Sequence, residues 1–393
     1  MKPNGNVRRI AALVMLLLAG ILAGAQLAKI APLVDWYQRE AGYSLVMIGW
    51  LTSTLGLFVA LAALPAAFAI DRLGTYASFV GSSAALAIGG VILAAFDAPA
   101  AALAGRLVEA LGYLAIVIAT PALLAALAPE RLKAPVLAVW GGFVPLGYAF
   151  ADFSAAALLP VVAPRTYLMV VALCFALCAA IAAALSAGLK PAGAVATDRS
   201  SASLGSTFTV PVAAVAAAFG AYVVLSLGFF SFLPSFAGDG TGAILLSAGF
   251  VALLVPFGNV LAGVLVDGRG PRYVAWLTAA GFLASAASAV PFFSSPDPVV
   301  ATAAAVVFAI AGGVVASALF ASIPSVVPVG GSVAVGIGLV AQSGGLGTLV
   351  GPPLAGYVIS EFAWSGFGWF LAVVSLLGIV CLVPMLRGRS RPA

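Results

Sequence analysis

The sequence contains no histidine and very few charged residues, and both shortages restrict what the protein can be. Only 7% of its 393 residues are charged, whereas soluble domains contain about 25%. A soluble surface cannot be built from so few charges, so most of the chain must face lipid. The lack of histidine also excludes an intramembrane metalloprotease with an H-E-x-x-H motif.

Other motifs are missing as well. None of the four lysines follows a glycine, so the chain has no G-x-x-x-x-G-K-[ST] loop for an ATP-driven pump. The three cysteines, Cys174, Cys178 and Cys381, lie within apolar stretches, which indicates neither a disulfide framework nor a metal site. We therefore expect no cofactor and no enzymatic activity. In so apolar a chain, the net charge of +5 reflects membrane topology and not nucleic acid binding.

Long hydrophobic runs make up most of the sequence. Hydrophobic residues account for 64% of the chain, and its mean hydropathy is +1.21. A membrane-spanning helix needs about 20 apolar residues. Twelve such stretches fit, which predicts an all-α membrane protein with 12 transmembrane helices. The predicted spans are 10–34, 45–70, 76–96, 100–128, 134–161, 166–188, 209–236, 242–266, 273–293, 299–327, 333–360 and 366–386.

The first stretch, "MKPNGNVRRIAALVMLLLAGILAGAQLA", has the basic start and apolar run of a secretory signal. Its apolar run continues past the small "AGA" segment to Val34, so we interpret it as the first span. With the N-terminus in the cytoplasm, thirteen basic residues fall inside and two, Arg39 and Arg165, fall outside. This asymmetry predicts a multi-pass protein of the cytoplasmic (inner) membrane with both termini cytoplasmic.

A polar joint divides the chain into two halves. The segment "KPAGAVATDRSSASLGST", residues 190–207, has no apolar periodicity and reads as a cytoplasmic linker. We predict an N-terminal six-helix bundle over 1–188, a linker over 189–208 and a C-terminal six-helix bundle over 209–393. The loop "AFAIDRLGTY" after span two reappears as "GVLVDGRGPR" after span eight, half a chain later. Two pseudo-symmetric bundles of this kind suit alternating access.

These loops give the chain a resemblance to the major facilitator superfamily, whose loop signature is G-x-L-x-D-x-x-G-x-R/K. The second copy matches it fully, whereas Ala67, Ala69 and Tyr76 depart from it in the first. The resemblance implies that Asp71 faces the start of span eleven and that Asp267 faces the start of span five, beside Arg131 and Lys133. Solvated loop charges that only obey topology rules are the alternative. The implied conformational gate comprises Asp71, Arg72, Gly74, Arg131, Gly263, Asp267, Gly270 and Arg272.

Span four resembles the R-x-x-Q-G-x-G pattern of proton-coupled members of this family. Arg106 and Gly112 match, while Glu109 replaces the glutamine and Ala110 the first glycine. Span five, with "GGFVPLGYA", is a poor version of the glycine-proline motif associated with antiporters. Parts of spans four and five look, more loosely, like the cyanate/nitroimidazole-type permease branch. The small-residue stripe of span eleven at Ser343, Gly347 and Gly351 is explained by close helix packing.

Four ionisable residues lie inside the predicted spans: Lys29, Arg106, Glu109 and Asp152. A charge at the bilayer centre costs at least about 2.5–3.5 kcal/mol, so such residues normally face a cavity or one another. Arg106 and Glu109 share one helix face at i, i+3. They could form a fixed buried pair that holds the helices together. Alternatively the pairing is breakable, a carboxylate takes up a proton, and Lys29 and Arg106 bind an anionic group.

The C-terminal bundle offers only uncharged candidates. Together with Phe229, Phe230 and Phe232, these candidates would form an uncharged, partly aromatic wall of the binding site. Aromatic residues in a membrane span more often pack against one another than line a pocket. We therefore expect a monomeric permease that moves a small, anionic organic solute by proton symport. Proton-driven efflux of hydrophobic compounds by an antiporter is the alternative, and a non-transporting membrane sensor is the alternative from another class. The uncharged candidates are Tyr222, Ser226, Asn259 and Gln342.

Overall fold

The structure, a computed structural model, describes residues 3–129, 142–186, 204–238 and 248–387 and the isolated positions 132, 136, 139 and 140. Within these residues it is helical and has no β-strand. The chain divides into two compact units, each described by itself below. Unit 1 comprises Met1–Tyr43 and Ala62–Arg199, and unit 2 comprises Ser44–Leu61 and Ser200–Ala393.

Long helices account for most of the described chain. Two short segments, a 3-10 turn at Ala31–Leu33 and a helix at Val34–Arg39, follow the first long helix, and another short helix, Leu204–Thr207, precedes the seventh. The long helices are α1 Pro3–Ala28, α2 Leu45–Leu73, α3 Thr75–Ala95, α4 Pro99–Leu127, α5 Phe143–Leu158, α6 Pro164–Ser186, α7 Val210–Gly238, α8 Ala248–Val266, α9 Pro271–Ser294, α10 Pro298–Val326 and α11 Val333–Arg387.

The helices agree with the predicted all-α membrane fold. In the described part of the chain, ten helices are long and apolar enough to cross a membrane, and α5 is apolar but shorter. Helix α11 consists of two helices joined at Ala363, whose φ of 54° and ψ of −171° are not helical. Counting α5 and both arms of α11, the described residues account for twelve spans. The prediction of 12 transmembrane helices is therefore confirmed.

Helix α2 belongs to both units. Its first part, within Ser44–Leu61, packs closely on α11: a Cβ atom added at Gly49 would lie 2.6 Å from the Pro352 carbonyl oxygen, and one added at Gly345 would lie 2.6 Å from the Ala60 nitrogen. Pro65 lies inside the same helix, shortly after the boundary between the units. Unit 2 thus includes a segment that the predicted 1–188 bundle assigned to the N-terminal half, and the predicted bundle boundaries stay a prediction.

Small residues allow the helices of unit 1 to approach closely, as small-xxx-small packing in membranes requires. A Cβ atom at Gly147 on α5 would overlap the backbone of Gly24 on α1. On α4, a Cβ atom at Gly105 would lie 2.8 Å from the Gly89 carbonyl oxygen of α3. These contacts bring α1, α3, α4 and α5 together around the charged residues of span four.

Candidate functional site

The candidate site begins where α1 ends. The sequence predicts a continuous span over 10–34, but helix α1 stops at Ala28, and a turn at Lys29 and Ile30 leads into the Ala31–Leu33 segment. Pro32 has no N–H group, so it cannot continue the helical hydrogen-bond ladder to the Ala28 carbonyl. The last carbonyl groups of α1 consequently need donors from elsewhere.

One donor is Arg106 of α4, whose Nη2 donates to the Gln26 carbonyl oxygen at 3.0 Å. The same guanidinium donates from Nη1 to Glu109 Oε2 at 2.6 Å. The other carboxylate oxygen of Glu109 accepts from Lys29 Nζ. All three side chains have 0% relative exposure. We call Lys29, Arg106 and Glu109 the buried triad.

Glycines shape the slot that holds the carboxylate. A Cβ atom at Gly89 of α3 would lie 2.5 Å from Glu109 Cγ, and one at Gly90 would lie 3.3 Å from Glu109 Oε1. A Cβ atom at Gly90 would also lie 2.8 Å from the Cβ of Ala172 on α6. The carboxylate therefore lies between α3 and α4, and any larger residue at Gly89 would displace it.

The charges of the buried triad match their surroundings. Two cations lie at the C-terminus of α1, where the helix dipole is negative and a cation gains about 0.3–1 kcal/mol. Removing one partner of a buried ion pair typically costs about 3–5 kcal/mol, because it leaves a charge in low dielectric without compensation. Loss of the carboxylate charge would therefore leave two buried cations without their partner.

The structure places the fourth predicted charge, Asp152, on α5 in a half-buried position. It interacts electrostatically with Tyr167 of α6, whose hydroxyl donates to the Ala151 carbonyl oxygen at 3.3 Å. A role for Asp152 in coupling stays a prediction.

The uncharged candidates lie on helices α7, α8 and α11 of unit 2. The Tyr222 ring lies 3.7 Å from where a Cβ of Gly312 would be, and its hydroxyl interacts with Ser226 one turn further along α7. A Cβ added at Gly313 of α10 would lie 2.9 Å from the backbone nitrogen of Asn259 on α8. The Asn259 Oδ1 atom is buried and has no hydrogen-bond partner among the described residues. Gln342 on α11 is half-buried.

The aromatic side chains near these residues form a packed cluster. Phe229 and Phe232 are completely buried, and the Phe229 ring stacks on Phe308 with centroids 4.3 Å apart. Phe236 and Phe293 extend the cluster toward the second arm of α11. The packing interpretation of these aromatics accounts for their burial.

The two signature loops differ in their backbones. Helices α2 and α3 are joined by Gly74 alone, whose φ of 87° favours glycine, whereas four residues join α8 to α9. In that second loop Gly268 takes the positive φ of 65°, and the predicted Gly270 is extended at φ −73°. Gly263 is exposed too, in the last turns of α8, with nothing within 4 Å of a Cβ added there.

The charged gate residues that the structure describes lie at the surface. Arg72, Asp267 and Arg272 are exposed, and they form no ion pair with another described side chain. Arg131, Lys133 and the side chain of Asp71 lie outside the described residues. The predicted gate contacts therefore stay a prediction.

Two residues near the buried triad escaped the sequence reasoning. Gln26 precedes Lys29 by three positions on α1, and Tyr37 lies in the short helix Val34–Arg39. Both are almost completely buried, at 0% and 3% relative exposure. A polar amide three residues before a buried lysine was the available signal, because both positions share a helix face.

Comparison with known proteins identifies the family. The model of the Major Facilitator Superfamily matches residues 16–330 and, in a second match, residues 243–393. No curated protein matches the sequence.

Solved structures support the same fold. A bacterial homolog of the human lysosomal transporter Spinster, in an inward-facing and occupied conformation, superposes with a TM-score of 0.75 at 18% identity, covering 96% of this chain and 95% of that one. Its inward-facing, unoccupied form gives a TM-score of 0.71 at 20% identity, with 98% and 96% covered. A variant of the nucleoside transporter NupG gives 0.76 at 14% identity, with 97% and 100% covered. At these identities the likeness concerns the fold alone.

Proposed function

Because the chain belongs to the major facilitator superfamily and is a secondary transporter, we propose that it takes up a small organic anion together with protons. The observation that carries this proposal is the buried triad, in which two cations share one carboxylate inside unit 1. A fixed structural pair would need only one cation for one carboxylate. A second cation provides a positive charge that an anionic group can use once the carboxylate is neutral.

The proposed coupling step is a proton transfer. One proton binds to a Glu109 carboxylate oxygen, which becomes a neutral carboxylic acid and loses its ion pairs with Lys29 and Arg106. The two cations are then available to the anionic group of the substrate. Release of the substrate restores the pairs and returns the proton. Coupling arises because substrate and carboxylate compete for the same two positive charges.

The uncharged residues Tyr222, Ser226, Asn259 and Gln342 are proposed to contact the rest of the solute. Asn259 supports this role, since its buried Oδ1 has no partner among the described residues. A half-site without charge suits a monoanion better than a polyanion. The predicted gate residues, the inner-membrane location with both termini cytoplasmic, and the monomeric state are part of the same proposal.

Purified protein in liposomes tests the proposal. Small radiolabelled carboxylates are screened for uptake with and without an inward proton gradient, while a dye reports the internal pH. We expect one or more carboxylates to enter with acidification, and Glu109→Gln to lose the dependence on the gradient. Glu40→Gln, which neutralises an exposed glutamate of the same unit, is the matched control. Full proton-driven uptake by correctly folded Glu109→Gln protein would refute the coupling role of Glu109.

A further inference from the structure

The buried triad raises a question about access that rests on the proposed function. Lys29, Arg106 and Glu109 have no exposed surface, so a proton needs a route through the protein to reach the carboxylate. Such a route requires hydrogen-bonding groups between Glu109 and the surface. Two buried polar residues, one in the last turn of α1 and one in the short helix Val34–Arg39, provide such groups.

Gln26 is the first member. Its backbone carbonyl accepts from Arg106, which fixes this residue beside the triad. Among the described residues, neither its side-chain nitrogen nor its side-chain oxygen has a hydrogen-bond partner, although the residue is completely buried. Because buried polar atoms in proteins almost always have partners, an ordered water molecule is the expected one.

Tyr37 is the second member. Its hydroxyl oxygen is buried, and within the described chain it has no hydrogen-bond partner. The residue interacts electrostatically with Arg106 and Glu109 of the triad, and also with Tyr43 and Asp97. Tyr37 therefore belongs to the surroundings of both the triad and the loop that joins α3 to α4.

Well-defined contacts place Tyr37 close to the surface end of unit 1. The Tyr37 and Tyr43 rings stack with centroids 5.3 Å apart, and the Tyr43 backbone N–H donates to the Tyr37 carbonyl oxygen at 2.9 Å. The Tyr43 hydroxyl donates to the Asp97 carbonyl oxygen at 2.6 Å. The Asp97 side chain is 54% exposed and forms an ion pair with Arg165, so solvent reaches this end of unit 1.

We propose that Gln26 and Tyr37 hold ordered water that carries protons between Glu109 and the end of unit 1 that bears Asp97. A proton from solvent at the Asp97 end protonates ordered water beside Tyr37, and this water reprotonates the Tyr37 hydroxyl as the hydroxyl gives its own proton to the water held by Gln26. That second water then passes one proton to Glu109. One O–H bond forms at each acceptor as one breaks at its donor, so no further reactant is needed.

The groups around Glu109 are compatible with this path. Lys29 faces it from the turn that follows α1, and Arg106 faces it from its own helix. Gln26 contacts Arg106 through its backbone carbonyl. The neighbouring positions of α3 and α6 are Gly89, Gly90 and Ala172, which do not titrate. Helix α5 carries the carboxylate of Asp152, which interacts electrostatically with Tyr167.

Hydroxyl-radical footprinting with mass spectrometry tests the water directly, because radicals generated in bound water modify adjacent side chains. Tyr37 and Tyr167 are equally suitable probes, with relative exposures of 3% and 1%, but the Tyr167 hydroxyl is already bonded to a carbonyl. We expect Tyr37 to be modified at least tenfold faster than Tyr167, and Gln26→Leu to slow its modification. Equal rates at the two tyrosines would overturn the proposal.

Infrared spectroscopy tests the transfer without knowledge of the substrate. After a pH jump, the carboxyl stretch that disappears in Glu109→Gln should rise at least tenfold more slowly in Tyr37→Phe, which keeps the ring but lacks the hydroxyl. Tyr76→Phe is the matched control, since its buried hydroxyl also lacks a partner within the described residues. An unchanged rate in Tyr37→Phe would overturn the route. A spectrum with no band sensitive to Glu109→Gln would overturn the proposed function itself.

Discussion

Replacing Lys29 with methionine should lower the free energy of unfolding. The remaining contact between Glu109 and Arg106 in the buried triad limits the size of this effect. The substitution removes one partner of a completely buried carboxylate, a change that costs about 3–5 kcal/mol in comparable sites. Glu109 keeps its hydrogen bond to Arg106 at 2.6 Å, so we expect the lower end, about 3 kcal/mol. Unfolding in mixed detergent micelles, followed by tryptophan fluorescence, measures the free energy of unfolding.

A double-mutant cycle separates the pairing from the loss of the side chains. In Lys29→Met/Glu109→Gln protein neither charge of this pair remains, so no unpaired partner is left behind. The combined cost should therefore fall short of the sum of the single costs by about 1–3 kcal/mol. Additive costs would refute the reasoning. The control is Arg39→Met, which breaks an exposed i, i+4 pair with Asp35 and should cost less than about 1 kcal/mol.

Three further predictions concern the backbone, the packing and the loop tyrosine. Ala363→Gly should raise the free energy of unfolding by about 1 kcal/mol, because φ 54° and ψ −171° are nearly restricted to glycine. Gly147→Ala should lower the melting temperature at a cost of about 1–3 kcal/mol, since its Cβ overlaps the Gly24 backbone. Burial and, secondarily, Asp97 raise the pKa of Tyr43. The neutral Tyr43 hydroxyl therefore contributes to the free energy of unfolding below the pKa that Tyr43 has in the unfolded chain. This contribution is lost as the pH rises through the higher pKa that Tyr43 has in the folded protein. Denaturant titrations above pH 10 should show wild type weakening faster than Tyr43→Phe.

The sequence predicted the helices and the shared face of Arg106 and Glu109, for physical reasons that are local. Long apolar runs and the scarcity of charge identify membrane spans without knowledge of packing. Arg106 and Glu109 were predicted to share a helix face, and the 2.6 Å contact between them confirms that spacing. The cost of intramembrane charge pointed to Lys29 as a partner, and the structure pairs it with Glu109.

Other features were not predicted from the sequence, either because a local signal was outweighed or because they depend on tertiary packing. The end of α1 at Ala28 follows from Pro32, a local signal that the apolar run to Val34 concealed. The position of Gln26 beside the buried triad depends on a contact between two helices, because Arg106 of α4 donates to its backbone carbonyl. The positive φ of Gly268, where the family signature draws attention to Gly270, reflects a loop of four residues whose turn begins earlier than in the first copy.

Helix α2 carries the boundary between the two units within one continuous element, after Leu61. Pro65 has no N–H group, so the carbonyl it leaves without an intrahelical donor, four residues earlier, is that of Leu61. Bending the helix at this position therefore breaks one main-chain hydrogen bond fewer than bending it elsewhere. Helix α2 thus lacks one main-chain hydrogen bond at the boundary between the two units, and a single proline is the cause.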